Sequence, residues 1–420
     1  MSALLESLAG ARSRHDRLAL VLSLFGLLLP LLGLLAPKAV VPLVLATAGL
    51  AVVLLGSRGL PWQIVDRPIT LAFGLLTLWC LVASLWSFAP GEALALAPRV
   101  GVLLLVLVYL CALAASLDQR QRHVAALGFA LGMALTVVLV VVEFSFGFPV
   151  SSALKGDLDR TAFNYEYHAF SRLNRGISAL AILVWPLAAL CWDRGWRVPA
   201  LALPPALFAL VMASQSSATL LGLGLGILAA AVVALGRWAG RLVLALAVAG
   251  ALLAGPGFAK LMKAAELDQA SYLSETANYR VHIWGFVADR ILERPLFGWG
   301  FDSSPSIPTE GVTPFRADKN VIPSHPHNGP LQILLELGYV GGALTVAVLF
   351  LLGRKLDGLP APGRVCGQAM FITILAIASS AYGLWQSHWL TTMGAAAMIL
   401  VLTLPGSGDH PNEGKTVPPG

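Results

Sequence analysis

The stretch Ser324-His325-Pro326-His327-Asn328-Gly329-Pro330 holds two histidines directly before an apolar run. Pro330 suits the first turn of a helix, because its missing N–H would have no partner there. The sequence therefore predicts that His327 lies just before a helix, at a boundary between water and lipid. A neutral imidazole at that place can accept a proton from a substrate hydroxyl. The alternative is a histidine that only caps the helix or lies at the interface, and this stretch alone favours neither.

Arginines form the second group with chemical potential. Arg160, Arg172 and Arg175 fall close together before another apolar run, and Arg280 lies in a later polar stretch. A guanidinium stays charged and binds phosphate oxygens through paired hydrogen bonds. We expect an anion site, with Arg175 as the first candidate of the three and Arg172 and Arg160 behind it. The alternatives are interfacial anchoring of these three and stacking of Arg280 on Trp284.

Two patterns resemble those of the O-antigen ligase and O-antigen polymerase superfamily. In the first, nine residues separate the His-Asn pair at 327–328 from Gly338, and two residues separate Gly338 from Gly341. In the second, residues 278–284 read Asn-Tyr-Arg-Val-His-Ile-Trp and residues 295–300 read Pro-Leu-Phe-Gly-Trp-Gly. The two patterns follow in the family's order and spacing, and together they cover residues 276–342.

The resemblance implies a membrane glycosyltransferase that moves a glycan from undecaprenyl diphosphate to an acceptor sugar at the periplasmic face. In the ligases the acceptor is the lipid A–core sugar, and in the polymerases it is another lipid-linked repeat. The implied reaction inverts the anomeric centre and needs no metal and no cofactor. His327 would then be the base, and Arg280 would bind the diphosphate. The expected partners are the donor, the acceptor and membrane lipids.

One stretch departs from the family pattern. Many members carry a Ser-Arg pair that opens a mid-chain helix and is thought to face the diphosphate. The corresponding residues 214–218 read Ser-Gln-Ser-Ser-Ala, with no arginine. Either Arg175 supplies that charge, or the diphosphate lies elsewhere.

Four further polar residues are expected to support the site. His325 and Asn328 flank the base, and Asn278 opens the upstream pattern. Glu336 falls inside an apolar run, where an ionised side chain is expensive and should face the bundle interior. It can orient a neighbour or touch the substrate, or it can simply pair with Gln332 one turn back.

The composition predicts the class of protein. Hydrophobic residues make up 57% of the 420-residue chain and charged residues 12%, about half the charged share of a typical soluble domain. Apolar runs long enough to span a bilayer recur from end to end. The formal charge of +6 is then typical of loop lysines and arginines held on the cytoplasmic side, and we expect no nucleic-acid partner. The four cysteines suggest neither a disulfide framework nor a metal site.

The sequence predicts an all-α membrane protein of about twelve spans, the first of which we interpret as a span and not as a cleavable signal. The predicted spans are 18–36, 39–56, 69–88, 99–117, 123–146, 176–192, 198–213, 217–236, 241–255, 330–353, 365–384 and 388–405. The regions are 1–146 with spans 1–5, an outer segment 147–175, 176–255 with spans 6–9, an outer loop 256–329, 330–405 with spans 10–12, and a disordered cytoplasmic tail 406–420.

Loop charges predict the orientation. With the N-terminus in the cytoplasm of a bacterial inner-membrane protein, the short outer loops hold only Lys38 and Arg99. The cytoplasmic segments hold Arg12, Arg14, Arg17, Arg58, Arg67, Arg120, Arg122, Arg194, Arg197, Arg237, Arg241, Arg354, Lys355, Arg364 and Lys415. This split follows the positive-inside rule, so we expect both termini inside and the 256–329 loop outside.

The long outer loop is expected to contain a helix that begins near Ser274 or Thr276 and ends at 293–295, lying on the membrane surface. A non-catalytic transporter of lipid-linked sugars is the alternative from another class of protein. It would spread polar residues through many spans, whereas here they gather at one outer boundary.

Overall fold

The computed structural model describes residues 13–56, 59, 61–155, 170–214, 216–253, 255–316 and 320–404. Within these ranges every regular element is a helix. The predicted cytoplasmic tail and Arg160 lie outside the described residues.

Fifteen α-helices follow one another in the described ranges, interrupted by 3₁₀ turns at Pro37–Ala39, Ser84–Trp86 and Ser304–Ser306. The α-helices are α1 Arg14–Leu35, α2 Val40–Leu55, α3 Arg67–Ala83, α4 Pro90–Ser116, α5 Gln119–Ser145, α6 Pro149–Lys155, α7 Asn174–Asp193, α8 Arg197–Met212, α9 Ser217–Ala234, α10 Arg237–Leu253, α11 Pro256–Ala264, α12 Glu275–Glu293, α13 Gly329–Asp357, α14 Ala361–Ala378 and α15 Ser387–Leu402.

The helices confirm the polytopic all-α class but not the number of spans. Among the described residues, nine helices are long and apolar enough to cross a membrane, or ten if the bent pair Arg237–Ala251 and Pro256–Ala264 is one span. Two further apolar helices, α8 and α15, are shorter. Each of the twelve predicted spans coincides with one helix, so the pattern located the helices, while the count of twelve spans is not confirmed.

One end of the helix bundle, which we call the basic end, gathers the segments predicted to be cytoplasmic. Its side chains link the starts of some helices to the starts or ends of others. The contacts are Gln121 Nε2 to Asp16 Oδ1 at 3.0 Å, Arg122 Nη1 to the Leu404 carbonyl at 3.3 Å, Lys355 Nζ to Asp66 Oδ2 at 3.0 Å and Arg241 Nε to Asp357 Oδ2 at 2.9 Å. The first and last described helices therefore meet at the same end.

The opposite end, which we call the loop end, carries the long segment between α10 and α13. Ser274 caps α12 there, since its Oγ accepts the Ala277 N–H at 3.2 Å, and the helix ends at Glu293 as predicted. The apolar face of α12 is covered by protein. Ile283, Val287 and Ile291 are fully buried in a cluster that also holds Leu331 and Leu335 of α13. The helix that we expected on the membrane surface thus docks onto the start of α13.

Helix α13 is broken at Gly338, whose backbone angles are φ 64° and ψ −167°. Segment 295–300 lies against the break and takes up the freed backbone groups. Trp299 N–H and Gly300 N–H donate to the carbonyls of residues 335 and 336 at 2.8 and 3.0 Å, and the N–H groups of residues 339 and 340 donate back to the carbonyls of residues 295 and 296 at 2.8 and 3.2 Å. The two glycine patterns of the sequence therefore form one structural unit.

Candidate functional site

His327 stands between α12 and α13 at the loop end, in a backbone conformation that few non-glycine residues adopt. Its φ is +56°, in the left-handed region. Its ring Nδ1 lies 2.6 Å from the Ala381 carbonyl oxygen. Because a carbonyl only accepts, Nδ1 carries the proton in this contact, and the neutral ring then has an unprotonated Nε2. This is the tautomer that a proton acceptor needs.

The residues around His327 fix its loop. The Trp284 indole N–H donates to the Pro326 carbonyl at 3.0 Å. Asn328 caps α13, because its Oδ1 accepts the Leu331 N–H at 3.1 Å, and Pro330 falls in the first turn as predicted. His325 is buried, and its Nδ1 accepts the His327 backbone N–H at 3.3 Å. His325 and Asn328 therefore shape the loop that presents His327.

Burial keeps both imidazoles neutral. It lowers the pKa of His327 below the ordinary 6.5, with a further lowering by the charge of Arg280, while the hydrogen bond to Ala381 raises it. Burial also lowers the pKa of His325 to about 4, and the neighbouring His327 ring and the charges of Arg175 and Arg280 lower it further. Near neutral pH both rings are uncharged, so His327 is in the form that accepts a proton.

Arg175 and Arg280 approach the same groups from two helices. Arg175 is exposed in the first turn of α7, and Arg280 is half-buried in the second turn of α12. Both charges lower the pKa of His325. Burial raises the pKa of the Tyr382 hydroxyl, and the charges of Arg175 and Arg280 both act against this rise. The structure thus brings together the imidazole pair and two guanidinium groups that are about a hundred residues apart in sequence. Arg172 is half-buried just before α7.

The turn 379–386, between α14 and α15, was missed by the sequence analysis. Residues 379–384 were assigned to a span, but α14 ends at Ala378. The Ala381 carbonyl holds the His327 ring, and the Tyr382 hydroxyl lies 2.9 Å from Ser178 Oγ. The run Ser379-Ser380-Ala381-Tyr382-Gly383, which holds two serines, a tyrosine and a glycine, was the signal available. Gly383 is needed there because a Cβ on it would overlap the His325 ring.

Glu336 faces the bundle interior, as its position in an apolar run predicts. It is fully buried, and its carboxylate accepts hydrogen bonds from Trp385 Nε1 at 2.6 Å, Asp302 N–H at 3.0 Å, Gln332 Nε2 at 3.1 Å and the Ser304 hydroxyl. The expected pairing with Gln332 is present, but it is one of four. Glu336 ties α13 to the turn 379–386, and it thereby positions that turn.

Asn278 supports the loop from another side. Its Nδ2 donates to the Ala270 carbonyl at 3.1 Å, in the segment that precedes α12. It therefore fixes the approach of the chain to the helix that carries Arg280.

Serines in the stretch 214–218, where the family pattern has an arginine, are buried, and one of them is hydrogen-bonded to a neighbouring hydroxyl. Ser214 and Ser216 are buried, and Ser216 Oγ lies 2.7 Å from Thr219 Oγ1. Thr219 Oγ1 lies 2.7 Å from Ser178 Oγ in α7. These hydroxyls join the start of α9 to α7, one turn from Arg175.

A metal ion in a protein requires a set of several ligand side chains held close together. No group of three or more His, Cys, Asp or Glu side chains there is arranged to hold an ion. A reaction without a metal stays an expectation.

Comparison with known proteins shows what part of this chain is similar to. Residues 202–346 match the sequence model of the family described as "O-Antigen ligase", a span that includes Arg280, His327 and the break at Gly338. A protein of Rickettsia prowazekii named "Putative polysaccharide ligase" is 30% identical over 52% of this chain and 55% of its own length. Relatives with the same description from Rickettsia conorii and Rickettsia felis are each 27% identical over 79% of this chain and cover 78% and 79% of their own lengths.

The chain thus spans about half the length of the Rickettsia prowazekii relative and more of the other two. The resemblance inferred from the His-Asn and glycine spacing is confirmed by a match that contains those residues. The chain is a multi-pass membrane protein whose residues 202–346 match the sequence model described as "O-Antigen ligase".

Proposed function

We propose that this protein is a glycosyltransferase of the O-antigen ligase type. It moves a glycan from undecaprenyl diphosphate to an acceptor sugar, the lipid A–core, at the periplasmic face of the bacterial inner membrane. The observation that carries the proposal is the His327 ring, whose Nδ1 is held by the Ala381 carbonyl. The charge of Arg280 acts on this ring, and the charges of Arg280 and Arg175 both act on the neighbouring His325.

His327 acts as the general base in this proposal. Its unprotonated Nε2 takes the proton of an acceptor hydroxyl as that oxygen attacks the anomeric carbon of the donor. The bond from that carbon to the diphosphate oxygen breaks, and its electron pair leaves with the diphosphate. A single displacement of this kind inverts the anomeric centre. The lowered pKa of His327 suits the role, because the ring is neutral at pH 7.

The arginines stabilise the leaving group. A diphosphate gains negative charge as the bond breaks, and guanidinium groups held ready for it stabilise the transition state more than the ground state. Arg280 and Arg175 fit the role, since the charges of both act on His325 and that of Arg280 also acts on His327. Arg172 and Arg160 precede α7 in the chain and are the secondary candidates for diphosphate binding.

The decisive experiment is glycan transfer by the purified protein from a defined undecaprenyl-diphosphate glycan to lipid A–core, with a chelator present. We expect glycan on lipid A–core and loss of transfer in His327→Ala, which still inserts and still binds the donor. His123→Ala is the matched control, because His123 lies at the basic end beside Asp193. Retained transfer in His327→Ala would remove this histidine from the mechanism.

The same assay separates a ligase from a repeat-unit polymerase. The names of the relatives favour the ligase, and attachment to lipid A–core would support it. Elongation of the lipid-linked repeat with no attachment would instead identify a polymerase. Binding of the donor with neither product would favour a transporter.

Arg280→Ala and Arg175→Ala should weaken transfer, because the donor diphosphate is bound less well. Lysine at either position should restore transfer only in part, because an ammonium lacks the planar, two-pronged geometry with which a guanidinium binds phosphate oxygens. Arg290→Ala is the control in the same helix, where Arg290 pairs with Glu293. Full activity of both alanine variants would refute the diphosphate assignment.

A further inference from the structure

The turn 379–386 touches both halves of the candidate site. Its Ala381 carbonyl holds the His327 ring at 2.6 Å. The next residue, Tyr382, reaches the start of α7, where its hydroxyl donates to the Asn174 carbonyl at 3.2 Å and lies 2.9 Å from Ser178 Oγ. Asn174 directly precedes Arg175 in the chain. One dipeptide therefore contacts the imidazole on one side and the start of the arginine's helix on the other.

The far end of the same turn is anchored independently. Leu384 N–H donates to Gln332 Oε1 at 3.0 Å, and Trp385 Nε1 donates to Glu336 Oε2 at 2.6 Å. Both acceptors belong to α13, the helix that follows His327. Among the described residues, the end near Ala381 has no such bond to a side chain within α13. Its side-chain hydrogen bonds are the contact with the His327 ring, the bond from the Ser380 hydroxyl back to the Ala376 carbonyl in α14, and the contacts of the Tyr382 hydroxyl with α7.

The Tyr382 hydroxyl belongs to a short chain of hydroxyl groups. Ser178 Oγ also lies 2.7 Å from Thr219 Oγ1, which in turn lies 2.7 Å from Ser216 Oγ. The chain crosses from the turn through α7 to the start of α9. It reaches the stretch 214–218, where many members of the resembled family carry an arginine that this chain lacks. Removing a hydroxyl from this chain would loosen the start of α7, where Arg175 lies.

We propose that Tyr382 is a positioning residue, whose hydroxyl couples the turn that orients His327 to the helix start that presents Arg175. This inference rests on the proposed function. The phenol itself need not touch the substrate. It sets the distance between His327, the base, and Arg175, one of the two arginines proposed to bind the diphosphate. The acceptor hydroxyl and the leaving diphosphate are thereby held in register by one hydrogen-bonded group.

Tyr382→Phe is the test, because it removes only the hydroxyl and keeps the ring, which packs 4.8 Å from the Trp389 ring. General-base catalysis contributes about 100- to 10,000-fold, and a loosened ring loses part of it. We expect kcat to fall ~10-fold and KM for the donor to rise ~3-fold. Ser178→Ala, which leaves the Asn174 contact in place, should change both in the same direction by less. Tyr272→Phe, at a side chain 78% exposed, is the matched control and should leave both unchanged.

A second readout does not depend on catalysis. Carbethoxylation of His327 by diethyl pyrocarbonate, followed by mass spectrometry across pH, reports the pKa of this ring. Burial lowers that pKa, the Ala381 hydrogen bond raises it, and the charge of Arg280 lowers it. The neighbouring His325 stays neutral, because burial lowers its pKa to about 4. If Tyr382→Phe frees the turn, the hydrogen bond to Ala381 weakens and the titration of His327 moves to lower pH.

The outcomes separate the two ideas. A shifted His327 titration together with a wild-type protein that transfers no glycan would keep the coupling and reject the proposed function. Normal wild-type transfer with unchanged kcat, KM and titration in Tyr382→Phe would overturn the coupling. Lower thermal stability alone, with those three values unchanged, would also overturn it, because Tyr382 would then be only a structural residue.

Discussion

His327 is held in a conformation that its own chemistry does not favour. A left-handed backbone at a non-glycine residue costs about 1–3 kcal/mol and persists only where its surroundings impose it. Here the Trp284 contact to Pro326, the Asn328 cap and the Ala381 carbonyl impose it. The sequence predicted the residue and its place before a helix, because spacing and a proline carry that information. It did not predict the Ala381 partner, because a contact across 54 residues leaves no local pattern.

The pH dependence of transfer tests this environment. Only neutral His327 accepts a proton, so the rate falls as pH drops through the pKa of the folded protein. Burial and Arg280 lower that pKa, and the acid limb of kcat/KM should therefore lie below pH 6.5. In Arg280→Ala the limb should move upward, towards 6.5, because a repelling charge is gone. Arg290→Ala should leave the limb in place. A limb that stays fixed in Arg280→Ala would contradict the electrostatic contact.

Among the elements, helix α13 contains a break that the hydropathy pattern did not predict. Residues 330–353 were predicted as one span, since apolar content continues through the break. The structure divides this run at Gly338 and closes the gap with segment 295–300. An unpaired backbone group is costly in an apolar setting, so both segments have to be present together. Hydrophobicity detects neither the break nor its partner, while the glycines of both patterns mark it.

Gly338→Ala should disrupt that unit. A Cβ at this position would overlap the Leu296 carbonyl and lie 2.6 Å from the Gly298 nitrogen, and φ +64° with ψ −167° is a region that only glycine adopts readily. The strain and the overlap together should cost about 3 kcal/mol or more. Thermal unfolding in detergent would measure this cost. Gly74→Ala in α3, where no atom lies within 4 Å of the added carbon, is the control and should unfold near the wild-type temperature. Equal unfolding temperatures in the two variants would mean that the break tolerates a side chain.

For the molecule as a whole, charge and hydropathy predicted more than motif reading did. Alternating helices with basic short loops predicted that certain segments share one end, and contacts such as Lys355 to Asp66 and Arg241 to Asp357 join those segments. The rule works because each short loop obeys it independently. The packing of α12 onto α13 was beyond such a rule, because an amphipathic helix can face lipid or protein equally well by its pattern.

The orientation of the two ends in the membrane remains a prediction, and cysteine labelling tests it. In a protein whose own four cysteines are replaced, Tyr272→Cys probes the loop end and Trp196→Cys probes the basic end. Both side chains are well exposed, at 78% and 61%. If the loop end faces the periplasm, a maleimide that crosses the outer but not the inner membrane labels Tyr272→Cys in intact cells, and it labels Trp196→Cys only after the inner membrane is opened. The reverse pattern would place His327 in the cytoplasm, away from a donor in the periplasmic leaflet, and the proposed reaction would lose its substrate.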